Sequence, residues 1–569
     1  LRINMDKFTA LPYTRPNISA VKADFRKQVE LLKNAATYDK QKEAIQVINK
    51  INADVDTASN LAYIRNSIDT TDKFYDGERT FFDENGPEIS DLNFEYYTAL
   101  EASKFKDELI QEFGEQLFTI ASYRVNSFSK DIIEDLKEEN KLGSTYSKLV
   151  ASAKIQFDEK ELNLSQLSPY AQSKDRTVRK AAAEARYNFV SENSEQFDSI
   201  YDNAVKLRHK MATKMGLKNF VELGYLRMQR SDYTPEMVAN YREQVLKHIV
   251  PLAVKIRKKQ AERLGLEKLK HYDLSLFYDT GNPKPKGDPQ WIVNNGVKMY
   301  QELSTETGEF FDFMTKYELM DLETKKGKDV GGYCTFIANY GAPFIFSNFN
   351  GTSGDIDVLT HEAGHAFQVY SSKHHKINEY FWPTYESAEI HSMSMEFFTW
   401  PWMGLFFKED TEKYKYEHLS SGLLFLPYGV AVDEFQHAVY ENPDMTPAER
   451  KSTWRTIEKK YMPDLDYDGH EYLESGGRWQ LQSHIYQSPF YYIDYTLAQI
   501  CAYQYWIKMQ DDFKGAWKEY LGLCQAGGSL PFLKLVDLAG LKSPFSEGTL
   551  EGVAASIEAW LEKVDDATF

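Results

Sequence analysis

Apolar positions in the first third of the chain recur at helical spacing. Between Asn17 and Lys33, just after Pro16, Val21, Phe25, Val29 and Leu32 fall on one face. Similar runs predict helices over 39–70, 88–126 and 128–141, with mixed charges on their solvated faces. From Lys154 to Leu164 apolar and polar residues alternate about a polar turn, which predicts a small β-hairpin. The helical period returns over 175–215 and 234–264, with an interruption at Pro251. The stretch from Gly281 to Gln290 carries Pro283, Pro285 and Pro289 and reads as a loop.

Near Met320 the texture changes. Met320-Asp321-Leu322 leads into a polar stretch, and then Gly331–Ala338 and Pro343–Asn350 form aromatic, apolar runs bounded by glycines. These two runs predict strands of a small sheet. The second feeds into Val358-Leu359-Thr360-His361-Glu362-Ala363-Gly364-His365-Ala366-Phe367. N-cap candidates stand just upstream in Thr352-Ser353-Gly354-Asp355-Ile356-Asp357. Ile356, Leu359, Ala363, Ala366, Phe367 and Tyr370 give this helix an apolar face. His361 and His365 are four apart, so both imidazoles leave the same face one turn apart. Two imidazoles so placed can hold one zinc ion. Glu362 lies about 100° further round, beside the metal as a base rather than on it. A strand next to such a metal either holds an extended peptide by main-chain hydrogen bonds or only buttresses the helix. The sequence leaves both readings open.

Charge and cysteine content narrow the partners. The net charge is -18 over 569 residues, with no long Lys/Arg run. That argues against nucleic acid and against an anionic membrane surface. Cys334, Cys501 and Cys524 are an odd number, widely spaced and without CxxC. They read as the reduced thiols of a cytoplasmic protein, not a disulfide frame or a zinc–thiolate site. No stretch approaches the roughly 18 uninterrupted apolar residues of a membrane span. The residues from Leu1 to Lys7 hold no apolar leader segment.

A catalytic zinc usually has three protein ligands and an open position. A second helix is expected from Pro383 to Phe398, and it offers Glu386, Glu389, His391 and Glu396. Glu389 and Glu396 share a face, and Glu386 is one turn before Glu389. Spacing does not choose between Glu386 and Glu389. His361-Glu362-x-Gly364-His365, followed by Glu389-x-x-Ser392-x-x-x-Glu396, resembles the thimet oligopeptidase and oligoendopeptidase F family of zinc metallopeptidases. The likeness is to its bacterial oligoendopeptidases, among them the Pz peptidases, which cleave collagen-derived oligopeptides. At Ile390-His391 the chain departs from the thimet branch, which has Ala-Pro there. The resemblance runs over roughly residues 175–555 and includes Asn348-Phe349-Asn350-Gly351-Thr352, Ala526-Gly527-Gly528-Ser529-Leu530-Pro531-Phe532 and Leu538-Ala539-Gly540-Leu541. It implies Glu389 as the third ligand and Glu396 as a residue orienting a histidine.

The segment Gly476–Tyr495 is dense in polar aromatics and holds one histidine. Such a cluster is either buried packing with satisfied hydroxyls or a set of donors for the oxyanion of peptide hydrolysis. The resemblance places a histidine and tyrosines of the second kind here. It maps them to His484 and to Tyr492 and Tyr495, with Tyr486 and Tyr491 as substitutes.

The expected fold is mainly α, with a small β-sheet beside the zinc helix. An N-terminal helical lobe over 1–175 and a catalytic region over 176–569 would, by the resemblance, enclose a deep channel for short unfolded peptides. The expected activity is zinc-dependent hydrolysis of internal bonds in oligopeptides, collagen-derived ones being candidates, with one Zn2+ per chain. Two alternatives are weighed against it. A non-catalytic peptide-binding protein of this fold would be expected to lack Glu362 or a ligand, and all are present. A zinc aminopeptidase would need a site for the free amine, of which the sequence carries no mark.

Overall fold

The computed structural model describes residues 5–569; residues 1–4, where the chain was read for a leader, lie outside them. Among the described residues helices dominate, and the sheets amount to one hairpin and one three-stranded sheet. The architecture is mainly α, as expected.

The first helix, Ile18–Lys33, begins where Asn17 accepts the Ala20 N–H, and it buries Phe25, Val29 and Leu32. The run expected over 88–126 is instead three helices: Lys73–Glu101, Lys106–Phe113 and Gln116–Asn126. Asp72 starts the first by accepting the N–H groups of Phe74 and Tyr75. Gly114 ends the second at φ 87, a conformation that side chains resist. The helix expected over 128–141 runs from Ile133 to Ala151. The 175–215 run breaks at Asn193, and the 234–264 run breaks at Ile249. Pro251 sits in the first turn of the helix Val250–Arg263, where a missing N–H costs nothing.

The hairpin pairs β1 (Ile155–Phe157) with β2 (Lys160–Leu162). The second sheet joins β3 (Met320–Glu323), β4 (Tyr333–Ile337) and β5 (Ala342–Phe349) in the order β3-β5-β4. Met320–Glu323, which reads in the sequence only as a lead-in, is thus a strand parallel to β5. β5 is central and buried, and β4 is an antiparallel edge. β5 leads into the HExxH helix, Gly354–Ser372. Ser353 does not cap that helix with its side chain; its hydroxyl donates to Glu417 at 3.3 Å. The Asp355 carboxylate closes the turn instead, accepting the N–H groups of Asn350 and Gly351 at 2.9 Å each.

The larger apolar core surrounds the HExxH helix, whose Ile356, Leu359, Ala363, Ala366 and Phe367 are fully buried. A smaller core is built by helices between Phe25 and Ala121, joined by Ile377 and Tyr380. The Tyr380 hydroxyl donates to Phe113 O and accepts the Leu117 N–H, tying the smaller core to the loop after the HExxH helix. The Ala526-Gly527-Gly528 segment lies on that same loop. A Cβ on Gly527 would stand 2.3 Å from Tyr380 O, and one on Gly528 would stand 2.2 Å from Trp382 O. These glycines are where two backbones touch.

Tyr63, on the helix Tyr38–Ile68, and Tyr385 are 37% and 49% exposed, and desolvation raises both phenol pKa values. Among the described residues, no helix is long and apolar enough to cross a membrane.

Candidate metal centre and catalytic site

The carboxylate helix, Tyr385–Phe398, packs across the HExxH helix at Gly364. This crossing brings His361, His365 and Glu389 together. Glu389 Oε2 lies 3.1 Å from His361 Nε2 and 3.2 Å from His365 Nε2. A tetrahedral zinc with ligands at about 2.0–2.2 Å sets its donors about 3.3–3.6 Å apart, so this donor set fits one zinc closely. Burial works against a charge on His361, but Glu389 and Glu396 beside it outweigh burial and raise its pKa well above the imidazole range. Burial would likewise raise Glu389, but His365 and His361 hold it well below the carboxylate range. An environment that draws cationic charge so strongly favours a divalent ion.

The Glu-x-x-Ser-x-x-x-Glu run holds these donors. The Ser392 hydroxyl donates to Glu389 Oε2 at 2.6 Å, and the Tyr491 hydroxyl donates to Glu389 Oε1. Both carboxylate oxygens are thereby fixed. Glu396 Oε2 accepts from His361 Nδ1 at 3.1 Å, leaving Nε2 free for a metal. Glu396 Oε1 meets His418 Nε2 at 3.1 Å, and the Trp400 indole N–H donates to His418 Nδ1 at 2.9 Å. His418 and Trp400 went unread in the sequence because no motif surrounds them. Glu386 does not join the metal donors. It is 1% exposed and its Oε2 accepts from the Tyr233 hydroxyl at 2.8 Å.

Glu362 is 5% exposed, and its Oε2 is buried without a hydrogen-bond partner among the described residues. Burial raises its pKa above the ordinary carboxylate value, with His361 and His365 opposing. Gly332, just before β4, approaches it so closely that a Cβ there would stand 3.4 Å from Glu362 Oε1.

The aromatic segment faces the same space. His361, His484, Tyr492 and Tyr495 line one cavity of about 300 Å³, together with Met393, Glu396 and Phe425. His484 Nε2 is 2.9 Å from the Tyr495 hydroxyl. Burial pushes the His484 imidazole down to about 4, with Glu389 pulling weakly the other way. The Tyr492 hydroxyl donates to Gln482 Oε1 at 3.1 Å, and Tyr486, 2% exposed, donates to Phe197 O. Of the tyrosines read from the sequence, Tyr495 and Tyr491 carry hydroxyls that reach His484 and Glu389, whereas those of Tyr492 and Tyr486 bond to Gln482 and to backbone.

Comparison with known proteins decides the family. The model of peptidase family M3 matches residues 169–555, and the M3 N-terminal domain matches residues 8–128. The chain belongs to peptidase family M3. This M3 chain superposes on the solved structure titled Pz peptidase A with inhibitor 2 at a TM-score of 0.98. The two share 59% identity, covering 99% of this chain and 100% of the other. A putative oligoendopeptidase F of Bacillus anthracis str. Ames gives a TM-score of 0.94 at 56% identity over the full length of both chains. The group B oligopeptidase PepB of Streptococcus agalactiae serotype III (strain NEM316) is 24% identical over 401 residues. That match covers 68% of this chain but only 63% of the relative's own length.

Proposed function

We propose that this M3 peptidase is a zinc-dependent endopeptidase that hydrolyses internal bonds of short, unstructured oligopeptides, collagen-derived ones among the candidates. The observation that carries the reading is the convergence of His361, His365 and Glu389 beside a buried Glu362 oxygen without a hydrogen-bond partner among the described residues. The names of the similar proteins, oligopeptidase, oligoendopeptidase F and Pz peptidase, point the same way.

His361, His365 and Glu389 would hold the zinc, with Glu396 orienting His361. When bound, zinc supplies Lewis acidity toward the scissile carbonyl and lowers the pKa of water. Glu362 takes the proton of the attacking water and later passes it to the leaving amine. Its raised pKa suits both halves of that task. The Tyr495 hydroxyl donates toward the oxyanion of the tetrahedral intermediate, and the His484 imidazole, 2.9 Å from that hydroxyl, supports it from behind. β4 offers an edge along which an extended peptide can add as a strand. A channel of the kind the family resemblance implies would admit a flexible chain and exclude a folded one, and the free cysteines fit a cytoplasmic site of action.

The test is digestion of a peptide-length series, with product masses read by mass spectrometry, on protein of known metal content. Internal cuts, about one zinc per chain and loss of activity on chelation are expected. Glu362→Gln should keep its zinc and lose at least ~100-fold in turnover. A ladder of products shortened one residue at a time from the amino end would instead make the enzyme an aminopeptidase. Full activity in zinc-free protein would remove the metal from the mechanism.

A further inference from the structure

The Tyr495 hydroxyl can donate to an oxyanion only if His484 gives it a proton rather than taking one, and His484 has two nitrogens that could carry that proton. Gln482, two residues earlier, decides between them. Its side-chain Nε2 lies 2.9 Å from His484 Nδ1. Its Oε1 accepts the hydroxyl of Tyr428 at 2.8 Å and that of Tyr492 at 3.1 Å. Among the described residues, that oxygen is the only hydrogen-bond partner of either phenol. Turning the amide over would face both phenol protons with an NH2 group and leave them without an acceptor. Losing partners for buried donors costs about 1–3 kcal/mol each, so the amide is held with its oxygen toward the phenols and its N–H toward His484. A nitrogen that accepts a hydrogen bond carries no proton in a neutral imidazole.

We infer that Gln482 is the positioning residue of the oxyanion site, fixing His484 as the neutral tautomer with its proton on Nε2. This inference rests on the endopeptidase reading above. The Nε2 proton then points at the Tyr495 hydroxyl, 2.9 Å away. Tyr495 accepts there, so its own O–H is free to donate to a developing oxyanion, and the chain of donors Gln482–His484–Tyr495 polarises in one direction. The groups around the imidazole agree with a neutral ring. The phenols of Tyr491, Tyr492 and Tyr495 face it edge-on, and Glu389 is the one charge acting on it.

The backbone holds Gln482 in place. Its N–H donates to Trp479 O at 2.9 Å, and its carbonyl accepts the Ile485 N–H at 3.1 Å. Trp479 is itself 2% exposed and packs on Tyr201 and Phe435. Tyr428 belongs to the long helix Thr411–Glu441, with the Arg478 guanidinium 4.8 Å over its ring. The tautomer is thus set by Gln482 and the two phenols that hold its amide, with Trp479 buried behind them.

The test reads the proton directly and then its consequence. In zinc-loaded protein with ¹⁵N-labelled histidine, the His484 signals, assigned against His484→Ala, should show a protonated Nε2 and a bare Nδ1. Gln482→Glu offers only acceptors. It should move the proton to Nδ1, raise the pKa seen in the acid limb of the kcat profile, and lower kcat by about 100-fold. KM should change little, because substrate contacts are untouched. Gln482→Met, which adds no charge, should lower kcat without the pH shift. A proton on Nδ1 in the unaltered protein would overturn the inference. So would unchanged kcat in both Gln482 variants while His484→Ala is crippled, and that result would leave the endopeptidase reading intact. Full turnover in His484→Ala would take down the oxyanion role and this inference with it.

Discussion

Three tyrosines within five residues have three different partners. Tyr491 donates to Glu389, Tyr492 to Gln482, and Tyr495 meets His484. Their substitutions by Phe should therefore differ in kind. Tyr495→Phe removes the proposed oxyanion donor and should lower turnover about 100-fold with zinc and melting unchanged. Tyr491→Phe frees one oxygen of Glu389, the proposed third ligand, and should weaken zinc retention about 10-fold or more. Tyr492→Phe removes a buried hydroxyl, so it should cost about 1 kcal/mol of stability, with a smaller loss of turnover through Gln482. Melting, zinc content under a chelator and kcat on all three variants separate these outcomes. One shared phenotype would show that the residues act as a packing cluster.

At the scale of elements, the proposed metal centre depends on how closely two helices approach. A Cβ on Gly364 would stand 2.6 Å from both His391 O and Ser392 Cα. Both are backbone atoms, so no side chain can swing aside. The helices would have to separate, and that motion would draw Glu389 away from His361 and His365. Gly364→Ala should lose about 1–3 kcal/mol and also bind zinc more weakly. Gly552, inside the helix Thr549–Lys563, has nothing within 4 Å of its Cβ position. The same substitution there should be neutral or stabilising by up to about 1 kcal/mol. Equal melting temperatures and zinc contents for the two variants would mean that the helix contact is not what places the ligands.

Across the whole molecule, buried charges tie together segments far apart in the chain. Arg230 pairs with Asp494 at 2.9 Å, and Arg242 pairs with Asp433 at 2.6 Å, all almost fully buried. His437, on the helix Thr411–Glu441, lies among these groups with 8% of its side chain exposed and 3.1 Å from the Tyr225 hydroxyl. Burial chiefly pushes its pKa down to about 4, with Arg242 and Arg230 helping and Asp433 opposing. Its unfolded value is near 6.5. Between those values the unfolded chain binds a proton that the folded chain refuses. Stability is therefore intact above about pH 6.5 and falls as pH drops toward 4, by at most about 3 kcal/mol for this residue. Buried carboxylates with raised pKa values, such as Glu362 and Glu417, slope the other way, and those with lowered values, such as Glu389, slope the same way, so the comparison is between variants. Melting temperature should fall less steeply from pH 7 to pH 4 in His437→Asn than in the unaltered protein. Parallel curves would show that His437 is not buried as a neutral group.

What the sequence determined by itself is what one helix period can encode. His361 and His365 share a face because they are four apart, and Glu362 is turned from it because it is one apart. Ser392 and Glu396 follow Glu389 at three and seven residues, so they line one stripe of the next helix. Helix ends were less legible, because Asp72, Gly114 and Asn193 act through single caps and turns that the apolar period does not register. Only tertiary structure assigned the rest. Spacing could not separate Glu386 from Glu389; packing at Gly364 did, by turning one toward the histidines and the other toward Tyr233. His418, Trp400, Tyr428 and Gln482 carry no local signal, since each acts on a residue supplied by another turn or another helix. The division of the apolar cores also follows contacts between distant segments: residues 132–167 pack with the larger core, while Ile377 and Tyr380 join the smaller one. Short-range order is written into the spacing of side chains, whereas the direction of a hydroxyl, the tautomer of a ring and the choice among neighbouring carboxylates depend on what the folded chain places opposite them.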